Sequence, residues 1–319
     1  MLQGSFASGR YTSTVLFVLS MLVMSASYWL PASDLSFVQL AEPAWMDGFV
    51  PHVASVILYA CVALFISRQT FFDRSVRWKG SLYLWFMALS TFVNGNPLLA
   101  FSSLLFMVSL VLLLFCQYSA NPVGLFYTSF MLLGVLCFVT PYSLYLVPLY
   151  LFFCSITNTF SAKGVAASVL GLATPFWLVF GTAYVFPRLD VLQEPFMDGF
   201  TAAFDVNFPS FSLLNILLLV FVLAVLLPAI YVFVGSASPS KPLLRRRLSF
   251  VIVANIYLLL LSGIIGGGAG FFYVCQLPFV AILASYLFAM KETKLSNVYF
   301  VLVNAMMLAI ATHTLWLKL

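Results

Sequence analysis

Charge is scarce in this chain. Of 319 residues, 14 are Lys or Arg and nine are Asp or Glu, while 63% are hydrophobic. Soluble domains carry about 25% charged residues. A soluble fold this poor in charge lacks the polar surface to cover itself, so a bilayer must supply most of the solvent. That excludes a cytoplasmic enzyme, a nucleic-acid binder and a secreted disulfide scaffold. A disulfide framework is also missing, because Cys61, Cys116, Cys137, Cys154 and Cys275 all fall inside apolar runs. There a free Cys behaves as a small buried hydrophobe. From Gly80 to Ser161 no charged residue occurs at all.

What fills the gaps is a series of apolar runs. A spanning helix needs about 20 mostly apolar residues. Runs that meet or nearly meet this length centre on 13–31, 50–67, 78–94, 97–117, 122–140, 141–160, 164–186, 211–234, 249–266, 269–290 and 296–317. The sequence therefore predicts an all-α polytopic protein with about eleven transmembrane helices in a single integral membrane domain, 1–319. The third and ninth runs are short, which predicts tilt, local thinning or partial re-entry. Asn94-Gly95-Asn96-Pro97, Asn121-Pro122 and Thr140-Pro141 provide tight turns. The first run exceeds a signal-peptide core, so it is expected to stay as the first helix. Cleavage near Ala26-Ser27 is the alternative.

Orientation follows from the placement of the basic residues. With the N-terminus in the cytoplasm and eleven spans threaded, 12 of the 14 basic residues fall inside, and only Arg188 and Lys318 fall outside. Seven of the nine acids fall outside: Asp34, Glu42, Asp47, Asp190, Glu194, Asp198 and Asp205. The expected topology is N-in, C-out. Two long outer loops result, roughly 32–49 and 187–210, each amphipathic enough to predict short interfacial helices.

Those loops share words. Glu42-Pro43-Ala44-Trp45-Met46-Asp47-Gly48-Phe49 is echoed by Glu194-Pro195-Phe196-Met197-Asp198-Gly199-Phe200. Each precedes a span that leads to a basic loop and then a tight hairpin. One reading is a parallel duplication of spans 1–5 and 7–11, with halves 1–140 and 162–319. The other is chance recurrence of short words in a Phe-rich chain.

No Asp, Glu, Lys or Arg sits in the middle of a run, which argues against an ion-coupled transporter or proton pump. His52 and His313 lie toward outer ends, where a lone His is usually structural, and their separation is no metal-ligand spacing. The outer carboxylates are the sharper candidates. Asp34, Glu42 and Asp47 are the catalytic candidates, with His52, Asp198 and Arg188 as binding residues. A carboxylate at the membrane surface serves as a general base on an acceptor hydroxyl, or holds a divalent ion against a phosphate. The competing reading is that charge segregation alone leaves acids outside. Arg245-Arg246-Arg247 reads as a topology anchor or an anionic-lipid contact. The glycines from Gly263 to Gly270 read as a hairpin turn or a close helix contact, not a phosphate loop. No cofactor is identified.

The Asn94–Pro97 hairpin, the corner Thr140-Pro141-Tyr142-Ser143-Leu144-Tyr145 and the late run Gln276-Leu277-Pro278-Phe279-Val280-Ala281 resemble a family of small polytopic inner-membrane proteins of Gram-negative bacteria, uncharacterised in activity. The resemblance implies the bacterial inner membrane. More distantly, the outward first span, the acidic first outer loop and the late Leu-Pro-Phe-Val-Ala helix are similar to multi-spanning glycosyltransferases that use polyprenyl-phosphate sugars. That likeness implies a base in the first outer loop, which only Asp34, Glu42 or Asp47 can supply; no paired-acid motif accompanies them. The expected function is action on a lipid-linked glycan or lipid at the extracytoplasmic face in cell-envelope assembly, with membrane lipids and a lipid-linked sugar as partners. The alternatives are a non-ion-coupled transporter or flippase, and a scaffold or accessory subunit without catalysis.

Overall fold

Helix is the only regular structure among the residues that the computed structural model describes. These are residues 12–26, 49–68, 78–90, 97–119, 122–156, 159, 161–185, 197–201, 203, 213–235, 242–289 and 294–316. The physical reason is the solvent. Hydrocarbon offers no hydrogen bonds, so an apolar chain must satisfy its backbone within each segment.

The helices are α1 (Thr12–Ala26), α2 (Phe49–Arg68), α3 (Lys79–Leu89), α4 (Pro97–Phe115), α5 (Val123–Val139), α6 (Val147–Ile156), α7 (Ala162–Val185), α8 (Leu213–Gly235), α9 (Pro242–Ile264), α10 (Ala269–Ala289) and α11 (Lys294–Trp316). Each lies on one of the apolar runs. Among the described residues, six segments are long and apolar enough to cross a membrane: Phe49–Arg68, Pro97–Tyr118, Ala162–Val185, Ile216–Phe233, Arg245–Ile264 and Gly266–Phe288.

Three local expectations meet the structure differently. The third run does carry a short helix, α3, of 11 residues. The ninth run is not short, because α9 begins at Pro242 and extends for 23 residues. Proline suits a first helical turn, and Arg245, Arg246 and Arg247 lie in the helix rather than in a loop. The sixth run is not one helix. Pro141 opens a 3-10 segment, Pro141–Leu146, that leads into α6.

Contacts sort the helix termini into two ends of the bundle. At one end, the His52 ring Nε2 is 3.0 Å from the Met24 carbonyl, linking the finish of α1 to the start of α2. Tyr142, at the corner after α5, packs over Gly267 and Gly268 in the 3-10 turn Gly266–Gly268 that joins α9 to α10. At the other end, Ser13 and Ser81 share a 2.9 Å hydroxyl contact, joining the starts of α1 and α3. There Trp78 stacks on Phe288 at 5.8 Å, and the Arg247 guanidinium lies 5.4 Å from the Tyr118 ring centroid.

The centre of the bundle is α10. Nearly all of the Gly266–Phe288 segment is buried, against α3, α4, α8 and α9. Phe279 meets Phe106 edge-on at 5.9 Å and Phe250 at 6.2 Å, while Phe250 meets Phe153 at 4.5 Å. T-shaped pairs of this kind add to the gain from close packing. Beside this core, α5 and α7 pack backbone to backbone through Gly134 and Gly171. Small residues let membrane helices approach closely.

Candidate functional site

The end of the bundle that holds the Pro141 corner also holds a described part of the second long loop. Residues 197–201 are helical, with Asp198 exposed. Thr201 donates its hydroxyl to the Asp198 carbonyl at 3.0 Å. The segment rests on the corner, since a side chain at Gly199 would touch Pro141 Cγ at 3.4 Å. Two tyrosines fasten it from below. Tyr145 donates to the Ala203 carbonyl at 3.3 Å, and Tyr257 of α9 donates to the Tyr145 carbonyl at 2.6 Å. Asp198 therefore sits on a platform built from the Pro141 corner and braced by α9.

Of the other sequence candidates, His52 is described and buried, 3% exposed. Its ring is turned toward the Met24 carbonyl, an arrangement that positions helix ends. Asp34, Glu42, Asp47 and Arg188 lie outside the described residues, as does the first loop word apart from Phe49. Among the described residues no group of three His, Cys, Asp or Glu is placed to hold a metal ion.

Sequence reasoning passed over a second polar feature, in the interior. Tyr59, Tyr83, Ser102 and Ser103 are buried, and their hydroxyls make no hydrogen bond among the described residues. The Tyr83 hydroxyl is directed toward Ser103 without closing a bond, and Cys275 of α10 lies within electrostatic reach of both tyrosines. Nearby in depth, Gln276 donates to the Asn255 carbonyl at 2.9 Å and Asn255 to the Val251 carbonyl at 3.0 Å. Counting about 1.5 Å per residue from Phe49, Leu89, Pro97, Ala269 and Ile264, these groups lie roughly 7–15 Å from the corner end. They form a polar layer across the bundle. Tyrosine and serine look unremarkable in an apolar run, and only their convergence on one helix reveals the layer.

The layer makes a prediction about sign. A buried hydroxyl without a partner costs about 1–3 kcal/mol. Tyr59→Phe is therefore expected to raise the melting temperature in detergent. Tyr150 donates to Ser109 Oγ at 3.0 Å, so Tyr150→Phe is expected to lower it. A fall in both variants would mean that Tyr59 holds a buried water.

These features define a helical membrane protein with a sheltered polar interior and, among the described residues, a carboxylate, Asp198, at one end. Compared with known proteins, the chain matches no family model, no curated protein and no solved structure.

Proposed function

We propose that the chain is an eleven-span, N-in and C-out protein of the bacterial inner membrane that acts on a lipid-linked glycan or a lipid at the extracytoplasmic face, in cell-envelope assembly. The observation that carries this reading is the platform at the corner end, which presents Asp198 where the sequence gathers most of its acids. The alternation of helix termini between two ends is in keeping with the threading. The resemblance to polyprenyl-phosphate-sugar transferases supplies the chemistry. A carboxylate from Asp34, Glu42 or Asp47 takes the proton of an acceptor hydroxyl, while Asp198 and Arg188 hold the head group. His52 positions the start of α2 beside them.

General-base catalysis contributes typically 10²–10⁴-fold. One among Asp34→Asn, Glu42→Gln and Asp47→Asn, expressed at normal levels, is therefore expected to reduce envelope glycan maturation in cells at least 100-fold, and Asp198→Asn to weaken substrate binding. Full maturation in all four variants overturns the catalytic reading. A flippase is the second reading, favoured by Pro175, Pro228 and Pro278 inside α7, α8 and α10. It predicts lipid translocation in vesicles that survives all four substitutions.

A further inference from the structure

Helix α11 carries a carboxamide at the edge of its outward face. It turns Val303, Met307 and Ile310 to the bundle, each at most 1% exposed. About a third of a turn round the helix, Val301, Asn304 and Leu308 recur at the i, i+3, i+7 spacing that lines up one face. Val301 and Leu308 are 47% and 49% exposed, and Asn304 between them is half-buried. Asn297 and Ala311 continue the row in heptad register, the pattern of paired helices.

Asn304 stands near the middle of Lys294–Trp316, roughly 15 Å from Lys294 and so close to the centre of a bilayer core. One amide hydrogen goes to the Phe300 carbonyl of its own helix, at 2.8 Å. Among the described residues nothing meets its second amide hydrogen or its oxygen. Hydrocarbon cannot meet them either, and membrane helices satisfy such groups by bonding across to another helix.

Depth and chemistry together select that other helix. Copies of one chain insert with the same orientation, so two α11 helices side by side run parallel and hold Asn304 at the same level. A carboxamide is its own complement, donor and acceptor in one group. About a two-fold axis along the bilayer normal, each Asn304 donates its second hydrogen to the oxygen of the other. No charged residue lies between Lys294 and Lys318 to repel a second α11.

We propose that α11 forms the contact of a parallel homodimer, with a reciprocal Asn304 pair at its centre and Val301 and Leu308 packed on either side of it. The partner is a second copy of this chain. The inference rests on the membrane reading and is independent of the activity proposed for the Asp198 end.

The test is energy transfer between donor-labelled and acceptor-labelled full chains in phosphatidylethanolamine–phosphatidylglycerol vesicles, over a range of protein-to-lipid ratios, joined to disulfide cross-linking. Transfer is expected to show dimers. Asn304→Leu should weaken their association about ten-fold, and Asn304→Gln, which keeps the carboxamide, should restore most of it. Leu308 and Leu302 provide an internal comparison, since both are 49% exposed on α11 but only Leu308 lies on the row. With a membrane-permeant oxidant, and with the native chain as background, Leu308→Cys should cross-link to its copy roughly three-fold more than Leu302→Cys. The cysteine variants keep Asn304, so they test the contact even where Asn304→Leu misfolds.

Monomers at every ratio, an association unchanged in Asn304→Leu, or equal cross-linking of the two cysteine variants overturns the proposal. So does a chain that stays monomeric while another protein's helix covers this face. Asp198→Asn should leave dimerisation unchanged, so failure of either proposal is seen separately.

Discussion

Gly171→Leu is expected to separate α5 from α7 and to cost about 3 kcal/mol or more of stability. A Cβ added at Gly171 meets the Tyr127 carbonyl of the facing helix, with Met131 N at 3.1 Å. The contact is reciprocal, because a Cβ at Gly134 lies 2.7 Å from the Leu172 carbonyl and 3.0 Å from Pro175 Cγ. These obstacles are backbone and a proline ring, which cannot swing aside. Lipid tails are as apolar as leucine, so close approach supplies much of what holds two such helices together. The measurement is a thermal melt of the purified protein in detergent, with Gly181→Leu as the control. Gly181 lies on the same helix and has nothing within 4 Å of its added Cβ. Equal melting of the two variants would refute the close-contact account.

Phe279→Ala is expected to be the most damaging truncation in the bundle, at about 3–5 kcal/mol. Phe279 is fully buried on α10, between Phe106 of α4 and Phe250 of α9. Removing the ring leaves a void at the point where three helices meet, and it deprives both partner rings of their edge contacts. Phe152→Ala is the comparison. That ring is 39% exposed, on a surface where lipid fills the space it leaves. A melting temperature for Phe279→Ala that stays within error of Phe152→Ala would show that the core repacks around the loss.

The gross fold was legible because bilayer physics is simple. An apolar run with no charge can only become a helix there, and each of the runs carries one. Less legible was what happens inside a run. Thr140-Pro141 was readable as a turn, but the 3-10 segment that follows depends on how Tyr142 seats over Gly267 and Gly268, a contact between positions far apart in sequence. The basic triplet misled for a related reason. Arginine marks a membrane boundary, yet its long stem tolerates the first turns of a helix, where Arg247 lies over Tyr118. Reading charge as loop therefore placed the start of α9 too late.

The candidate site divides in the same way. Asp198 was legible as a loop acid, since charge sorting is a one-dimensional property. The platform beneath it was not, because Tyr145, Tyr257 and Pro141 come from separate segments. The polar layer around α10 was hidden for another reason. Residues such as Tyr59 and Ser103 are common in apolar helices, and nothing in their local pattern distinguishes an inward hydroxyl from one facing lipid.

The enclosed position of α10 bears on how the protein is made. When the nascent chain has been delivered as far as Ile264, α3, α4, α8 and α9 are already in the bilayer, but the helix they surround has yet to appear. Until then Tyr59, Tyr83 and Ser103 can face only lipid or one another. The earlier spans must therefore wait as a loose, partly polar cluster with an unfilled middle. Arrival of α10 closes that cluster and expels the lipid, so maturation becomes a late, single step. A ribosome stalled before Ala269 should leave a chain that is inserted, sensitive to protease and not yet assembled.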